Sequence, residues 1–411
     1  MKLKIAPRSL CGRVTPPPSK SAAHRMLICA ALADGRSVIS NLTFSDDINA
    51  TLKCLECIGA EWKHTDEGTI EVTGTAGRGG DGGRMFECGE SGSTLRFFIP
   101  IALALYGRGR FTGRGRLMKR PQGPYFDLFF EKGISFSYDT KSLEVSGRLE
   151  PGGYSLRGDV SSQFFSGLLF ALPLLPGDSS LRASTALESA PYVEMTVDSQ
   201  SKAGIAIKEK DGGYFAGGGQ HYIPFSASVE ADWSQAAFWN AADLLGSSVE
   251  LCGMDMDSAQ GDRAHGLAMA ERLSGDGLSD IEFDISDCPD LLPPMAAAAA
   301  ARGRGAVTVF RNAARLRMKE SDRLASVTAV INALGGRAVE EESGVAIYGS
   351  DSLAGGAEVS CFGDHRIAMM AAVAATRCEK PVVLDGAECV NKSYPSFWDE
   401  YKRLGGSIEE I

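Results

Sequence analysis

The chain has 411 residues, 44% of them apolar and 23% charged, which suits a folded protein of two or three domains with ample core. Its formal net charge of −10 excludes nucleic-acid and membrane-surface binders, because both need a dominant basic face. A basic cluster in such a chain is therefore local and informative.

The first residues, Met1-Lys2-Leu3-Lys4-Ile5-Ala6-Pro7, lack the apolar run of a signal peptide. The longest apolar stretches, around Phe164–Leu175 and Leu291–Ala301, carry proline or glycine and fall short of the roughly 18–20 residues of a membrane span. A cytoplasmic location is expected. The ten cysteines are scattered, as reduced buried thiols are.

In chain order, the first stretch with chemical content is Pro16-Pro17-Pro18-Ser19-Lys20-Ser21-Ala22-Ala23-His24-Arg25. Ser19 is a good N-cap for an Ala- and Leu-rich helix running to Asp34-Gly35. Lys20 and Ser21 then sit at its mouth, with Arg25 one turn along on the face of Ser21. Cations and a hydroxyl around unpaired backbone N–H groups make an anion site; alone, the same residues equally make a capped helix with a solvated charged face. A second helix over Asp46–Gly59 places Cys54 and Cys57 on one face. No second pair supports zinc, so the C-x-x-C reads as core packing.

Glu90-Ser91-Gly92-Ser93-Thr94-Leu95-Arg96 opens another helix, and Gly92 between hydroxyl residues allows close approach of backbone N–H groups to an anion. A tight capped turn with a core-covering Arg96 fits as well. Met118-Lys119-Arg120-Pro121 places cations on a proline-held loop. Ser161-Ser162-Gln163-Phe164 offers paired hydroxyls at a cap, and Ser189-Ala190-Pro191-Tyr192 adds another. In Cys288-Pro289-Asp290-Leu291-Leu292-Pro293-Pro294, Asp290 is either an N-cap or a carboxylate able to act as general base towards a bound hydroxyl. The run Arg315-Leu316-Arg317-Met318-Lys319-Glu320-Ser321-Asp322-Arg323 reads as helix, with Lys319 and Arg323 on one face and Glu320 offset. Gly363-Asp364-His365-Arg366 and Asn391-Lys392-Ser393-Tyr394-Pro395 close the series, with His365 read as structural. A cation or hydroxyl at nearly every cap of an acidic protein implies a cleft for small ligands with several negative charges.

These segments repeat. Helices starting near Ser19, Ser91, Ser161, Trp233, Pro289 and Asp364 share one grammar of polar cap, apolar helix, small-residue stop and β-branched strand. With second helices such as Ser321–Leu334 and short strands such as Thr69–Val72 and Gly344–Ile347, the unit reads β-α-β-α-β-β, six times over. The expected class is α/β, in two domains of three repeats each: 14–225, and 226–411 with 1–13. Hinges near 13–18 and 224–230 would let a cleft close on ligand.

The combination of Ser19-Lys20-Ser21 with Arg25, Ser91-Gly92-Ser93 with Arg96, Arg120-Pro121, Ser161-Ser162-Gln163, Pro289-Asp290, Lys319-Glu320-Ser321-Asp322-Arg323, Asp364-His365-Arg366 and Lys392 resembles the 5-enolpyruvylshikimate-3-phosphate synthase family, in that family's order and across almost the whole chain. The resemblance implies a two-domain enolpyruvyl-transferase-like fold of three β-α-β-α-β-β units per domain. It implies transfer of the enolpyruvyl group of phosphoenolpyruvate to the 5-hydroxyl of shikimate 3-phosphate, within aromatic amino-acid biosynthesis. No metal or organic cofactor is implied, and no nucleic-acid or membrane partner; a monomer is expected. By the resemblance, Lys20, Ser21, Arg25, Ser161, Ser162, Gln163, Ser189, Asp290 and Lys319 meet shikimate 3-phosphate. Lys20, Gly92, Arg120, Gln163, Arg323, Arg366 and Lys392 meet phosphoenolpyruvate. The catalytic set is Asp290 as base, Glu320 as proton donor to the methylene carbon, and Lys20.

Some positions depart from the commonest family pattern: Glu90 stands where Asn is frequent, Ser93 where Thr is, and His24 where Asn or Tyr is. Arg315 occupies a position that is Asn in some members, so the substrate contact made there is not carried over. The related UDP-N-acetylglucosamine enolpyruvyl transferases resemble the chain less. Their mobile loop normally carries Cys or Asp five residues before the Arg of Arg-Pro, where this chain has Gly115.

Overall fold

The computed structural model describes residues 1–78, 85–275 and 279–411. They fall into two units, one of Pro18–Glu230 and one of Met1–Pro17 with Ala231–Ile411.

The 18–230 unit contains α1 (Lys20–Leu32), α2 (Asp46–Cys57), α3 (Gly92–Tyr106), α4 (Gly123–Lys132), α5 (Gln163–Ala171) and α6 (Ala190–Lys202). Among the described residues its three four-stranded sheets share one plan. In the second, Met85–Glu87 and Arg108–Thr112 run parallel, then Ser142–Ser146 and Ser135–Tyr138 continue antiparallel. The parallel pair needs a crossover, which α3 supplies, whereas the antiparallel pair is a hairpin. The third sheet repeats this with Gly152–Leu156, Ser179–Ala183, Gly213–Ala216 and Ile207–Lys210. The first borrows its leading strand, Ser226–Ser228, from the far end of the unit, and pairs it with Arg36–Ser40.

Helices that are apolar on every side are interior. Helix α1 is buried from Ala22 to Leu32, and α3 and α5 are almost as enclosed. Gly167 permits the close contact of α5 with α3, since a Cβ there would stand 2.3 Å from the Arg96 carbonyl oxygen. A buried hydroxyl chain ties the first three helices: His24 Nδ1 lies 2.7 Å from Thr51 Oγ1, and Thr51 lies 2.7 Å from Thr94. Thr94 in turn donates to Ser91, the cap of α3. Cys54 and Cys57 direct their thiols at the carbonyls of Glu87 and Met85 across the α2 contact.

The second unit carries α7 (Trp233–Leu244), α8 (Gly261–Ser274), α9 (Leu292–Ala300), α10 (Arg323–Ala333), α11 (His365–Ala375) and α12 (Phe397–Arg403). Among the described residues it has two four-stranded sheets and two parallel strand pairs. Lys2–Ala6 sits inside one four-stranded sheet, antiparallel to both Val382–Asp385 and Ser407–Glu410, so the N-terminal segment belongs to this unit. Among the described residues the fourth repeat has the strands Cys11–Val14 and Ser248–Leu251 on either side of α7, followed by α8, and the next repeat begins at Ile281. No helix among the described residues is long and apolar enough to cross a membrane.

Candidate active site

In the 18–230 unit, Ser19 caps α1 by accepting the Ala22 N–H at 3.3 Å, which sets Lys20 and Ser21 at the helix start. Lys20 Nζ pairs with Asp47 Oδ2 at 2.7 Å, Asp47 lying in the first turn of α2. Arg25 is buried. It donates from Nη1 to the Ser21 carbonyl (2.6 Å), from Nη2 to the Tyr192 carbonyl (2.7 Å) and from Nε to Thr196 Oγ1 (2.8 Å), fixing α1 against α6.

Arg96 gathers three of the expected segments. Its Nη1 donates to Gln163 Oε1 at 2.7 Å and its Nη2 to the Pro121 carbonyl at 3.0 Å, while the guanidinium lies 4.6 Å from the Phe164 ring centroid. Because Oε1 accepts, the Gln163 amide is oriented, and its Nε2 donates to Ser93 Oγ at 2.9 Å. Gly92, the first residue of α3, lies against Arg120: a Cβ there would stand 2.7 Å from Arg120 Nη1. Gly92, Arg120 and Gln163 are thus one constellation. Ser161 and Ser189 share the end of the sheet where Gly152–Leu156 and Ser179–Ala183 run side by side, and the Glu188 N–H to Gly158 carbonyl bond (3.2 Å) joins the two loops. Ser162 lies at the start of α5, and Ser189 takes a left-handed conformation (φ 57°) before α6; neither spends its hydroxyl on a cap bond.

The second unit concentrates charge. Asp290 is not an N-cap: it sits in a 3-10 turn, Pro289–Leu291, and its carboxylate is held on both oxygens. Arg323 Nη1 reaches Oδ1 at 2.7 Å and Arg366 Nη2 reaches Oδ2 at 2.8 Å. Arg323 also donates to Glu320 Oε2 and Asp364 Oδ2, each at 2.9 Å, and Ser321 donates to the same Asp364 oxygen. Burial pushes the Asp290 carboxyl up, but Arg366 and then Arg323 outweigh it and hold the group well below the usual carboxylate range. Burial pushes the Lys319 ammonium down to about 7, opposed by the charge of Asp290. Lys392 Nζ donates to the Gly363 carbonyl at 2.8 Å, tying its segment to the cap of α11. His365 is buried beside Asp364, and Arg315 donates to the Ser286 carbonyl.

One expectation is corrected here. Lys319 and Arg323 do not share a helix face, because Asp322 accepts the Ala325 N–H and α10 starts only at Arg323. Lys319 is extended, between the 3-10 turn Ala314–Met318 and that cap. Sequence reasoning also passed over Asp47, Asp232 and Ser234. An acid in a first helical turn reads as a partner for the macrodipole, which hides a pairing with a distant lysine.

The sequence matches the family described as EPSP synthase (3-phosphoshikimate 1-carboxyvinyltransferase) over residues 5–401. A 3-phosphoshikimate 1-carboxyvinyltransferase of Clostridium kluyveri is 41% identical, covering 99% of this chain and 98% of that one. One of Clostridium perfringens is 41% identical over 100% and 99%. Among solved structures, EPSP synthase of Acinetobacter baumannii shares the fold with a TM-score of 0.81 at 23% identity, covering 100% of both chains. The enolpyruvyl transferase NikO of Streptomyces tendae shares it with a TM-score of 0.78 at 16% identity, covering 99% and 98%. The chain belongs to the EPSP synthase (3-phosphoshikimate 1-carboxyvinyltransferase) family.

Proposed function

We propose that this protein transfers the enolpyruvyl group of phosphoenolpyruvate to the 5-hydroxyl of shikimate 3-phosphate and releases phosphate, acting in the cytoplasm as a monomer without metal or organic cofactor. The observation that carries the reading is the carboxylate of Asp290 held between Arg323 and Arg366 in a member of this family.

In the 18–230 unit, Ser21 and Arg25 take the shikimate carboxylate, Ser161, Ser162 and Ser189 its phosphate, and Gln163 its ring. Lys20, Gly92, Arg120 and Gln163 serve phosphoenolpyruvate. From the second unit, Arg323, Arg366 and Lys392 take the anionic groups of phosphoenolpyruvate, and Lys319 a hydroxyl of the shikimate. When a substrate anion engages the two arginines, Asp290 loses the cations that hold it ionised and unreactive. Its proton affinity then rises, as a base requires. Asp290 takes the proton of the 5-hydroxyl as its oxygen bonds to C2 of phosphoenolpyruvate, while Glu320, free to carry a proton once the substrate anion has drawn Arg323 from it, gives that proton to the methylene carbon. In the elimination from the tetrahedral adduct the Glu320 carboxylate takes one of the three equivalent methyl protons as the C–O bond to phosphate breaks, and the departing phosphate takes the proton held by Asp290. Positioning and charge stabilisation supply the rate.

The test is phosphate release by the purified protein. It is expected only when shikimate 3-phosphate and phosphoenolpyruvate are both present; release with UDP-N-acetylglucosamine as acceptor would replace the reading. Gly115 argues against that acceptor class. It has φ 56°, a left-handed conformation that strains a cysteine, and a Cβ there would stand 2.6 Å from the Glu90 carboxyl carbon and displace that side chain.

A further inference from the structure

The fourth repeat is the one whose helix start received no substrate group, yet it is built into the charge network. Asp232 caps α7 and accepts the N–H groups of Ser234 (2.9 Å) and Gln235 (3.1 Å) on one oxygen. The same oxygen accepts the Ser234 hydroxyl at 2.6 Å. An ionised carboxylate only accepts, so the single hydroxyl proton of Ser234 is committed to Asp232 and its lone pairs face the other way. They face Arg366, whose Nη2 donates to Ser234 Oγ at 2.9 Å. All three side chains are buried, at 5% exposure for Asp232 and Ser234 and 4% for Arg366.

Arg366 Nη2 has two hydrogens, and they go to Ser234 and to Asp290 Oδ2. These partners differ in kind. Asp290 is a charged acceptor that an incoming anion replaces, whereas Ser234 is neutral, buried and fixed by its own partner. We propose that Ser234, oriented by Asp232, is a positioning residue that keeps the Arg366 guanidinium in place while its other hydrogen passes from Asp290 to the anion of phosphoenolpyruvate. The next residue extends the tether, since Gln235 Nε2 donates to Ser393 Oγ at 3.1 Å, directly after Lys392. The start of α7 therefore reaches Arg366 and the residue that follows Lys392, both segments assigned to phosphoenolpyruvate. This inference rests on the functional reading above, which gives Arg366 to that substrate.

The test compares wild-type protein, Ser234→Ala and Ser234→Thr in steady-state kinetics for both substrates and in calorimetric binding of phosphoenolpyruvate in the presence of shikimate 3-phosphate. Loss of one hydrogen bond to a charged group predicts that Ser234→Ala raises KM and Kd for phosphoenolpyruvate roughly tenfold. KM for shikimate 3-phosphate is expected to stay within about twofold, and Ser234→Thr, which keeps the hydroxyl, to restore the wild-type KM for phosphoenolpyruvate. An unchanged KM for phosphoenolpyruvate, an equal rise in both KM values, or no recovery in Ser234→Thr would overturn the proposal. If Ser234→Ala does not fold, Ser234→Cys takes its place, with the same outcomes read on KM. A wild-type protein that releases no phosphate from this substrate pair would overturn the functional reading instead, and the calorimetric comparison would still decide the role of Ser234.

Discussion

The two units handle positive charge differently. In the 18–230 unit the buried Arg25 and Arg96 donate to neutral groups: Arg25 to the carbonyls of Ser21 and Tyr192 and the Thr196 hydroxyl, Arg96 to the Gln163 amide and the Pro121 carbonyl. In the second unit Arg323 and Arg366 rest on carboxylates, those of Asp290, Glu320 and Asp364. A cation held by carbonyls keeps its charge for a ligand, so the first arrangement suits static recognition. A cation paired with a carboxylate must exchange partners to bind an anion, and the exchange changes the chemistry of the acid it leaves. Under the proposed function, recognition and proton transfer are divided between the units, with Lys20 paired to Asp47 as an ionic contact within the first.

The largest effect is expected from removing the exchangeable acid. Asp290→Asn keeps the shape but not the base, and turnover should fall roughly a hundredfold or more. Phosphoenolpyruvate should bind it no more weakly than wild type, because the arginines lose a competing anion; calorimetry beside kcat measures both. Turnover near wild type would end the division of labour. A middling effect is expected in the other unit, where Gly92→Ala places a methyl 2.7 Å from Arg120 Nη1. The guanidinium must move, so KM for phosphoenolpyruvate should rise roughly tenfold, on the scale of overpacking costs, with KM for shikimate 3-phosphate little changed. A rise confined to shikimate 3-phosphate would assign Gly92 elsewhere.

The smallest effect is on pH dependence. Burial lowers Lys319 to about 7 in the free protein. Binding of an anionic substrate that meets the ammonium raises that value, so Lys319's contribution to affinity is full below about pH 7. It is lost as pH rises through the bound-state value. Measured from about pH 6 to 9, KM for shikimate 3-phosphate should climb a few-fold more in wild type than in Lys319→Gln, in line with the linkage slope. Identical profiles would remove Lys319 from the substrate.

Local chemistry was legible in the sequence and long-range pairing was not. Ser19, Ser91 and Asp364 cap helices as their neighbours predict, because capping is decided within three residues. Asp290 looked equally like a cap, and its actual partners lie at Arg323 and Arg366, where the fold brings them. A run of mixed charge carries no mark of which acid will cap, so the sequence puts Lys319 on α10, whereas Asp322 caps it and α10 starts at Arg323. The phosphate contacts proposed for Ser161, Ser162 and Ser189 rest on the family resemblance, since serine caps alone are common.

The most direct measurement follows the carbon that changes partners. With phosphoenolpyruvate labelled with carbon-13 at C2 and unlabelled shikimate 3-phosphate, nuclear magnetic resonance of the reaction should show the label in an enol ether on O5, with one phosphate released per ether formed. Asp290→Asn should leave it in phosphoenolpyruvate over the same time. Label appearing as pyruvate, an ether at another hydroxyl, or equal transfer by the variant would contradict the account.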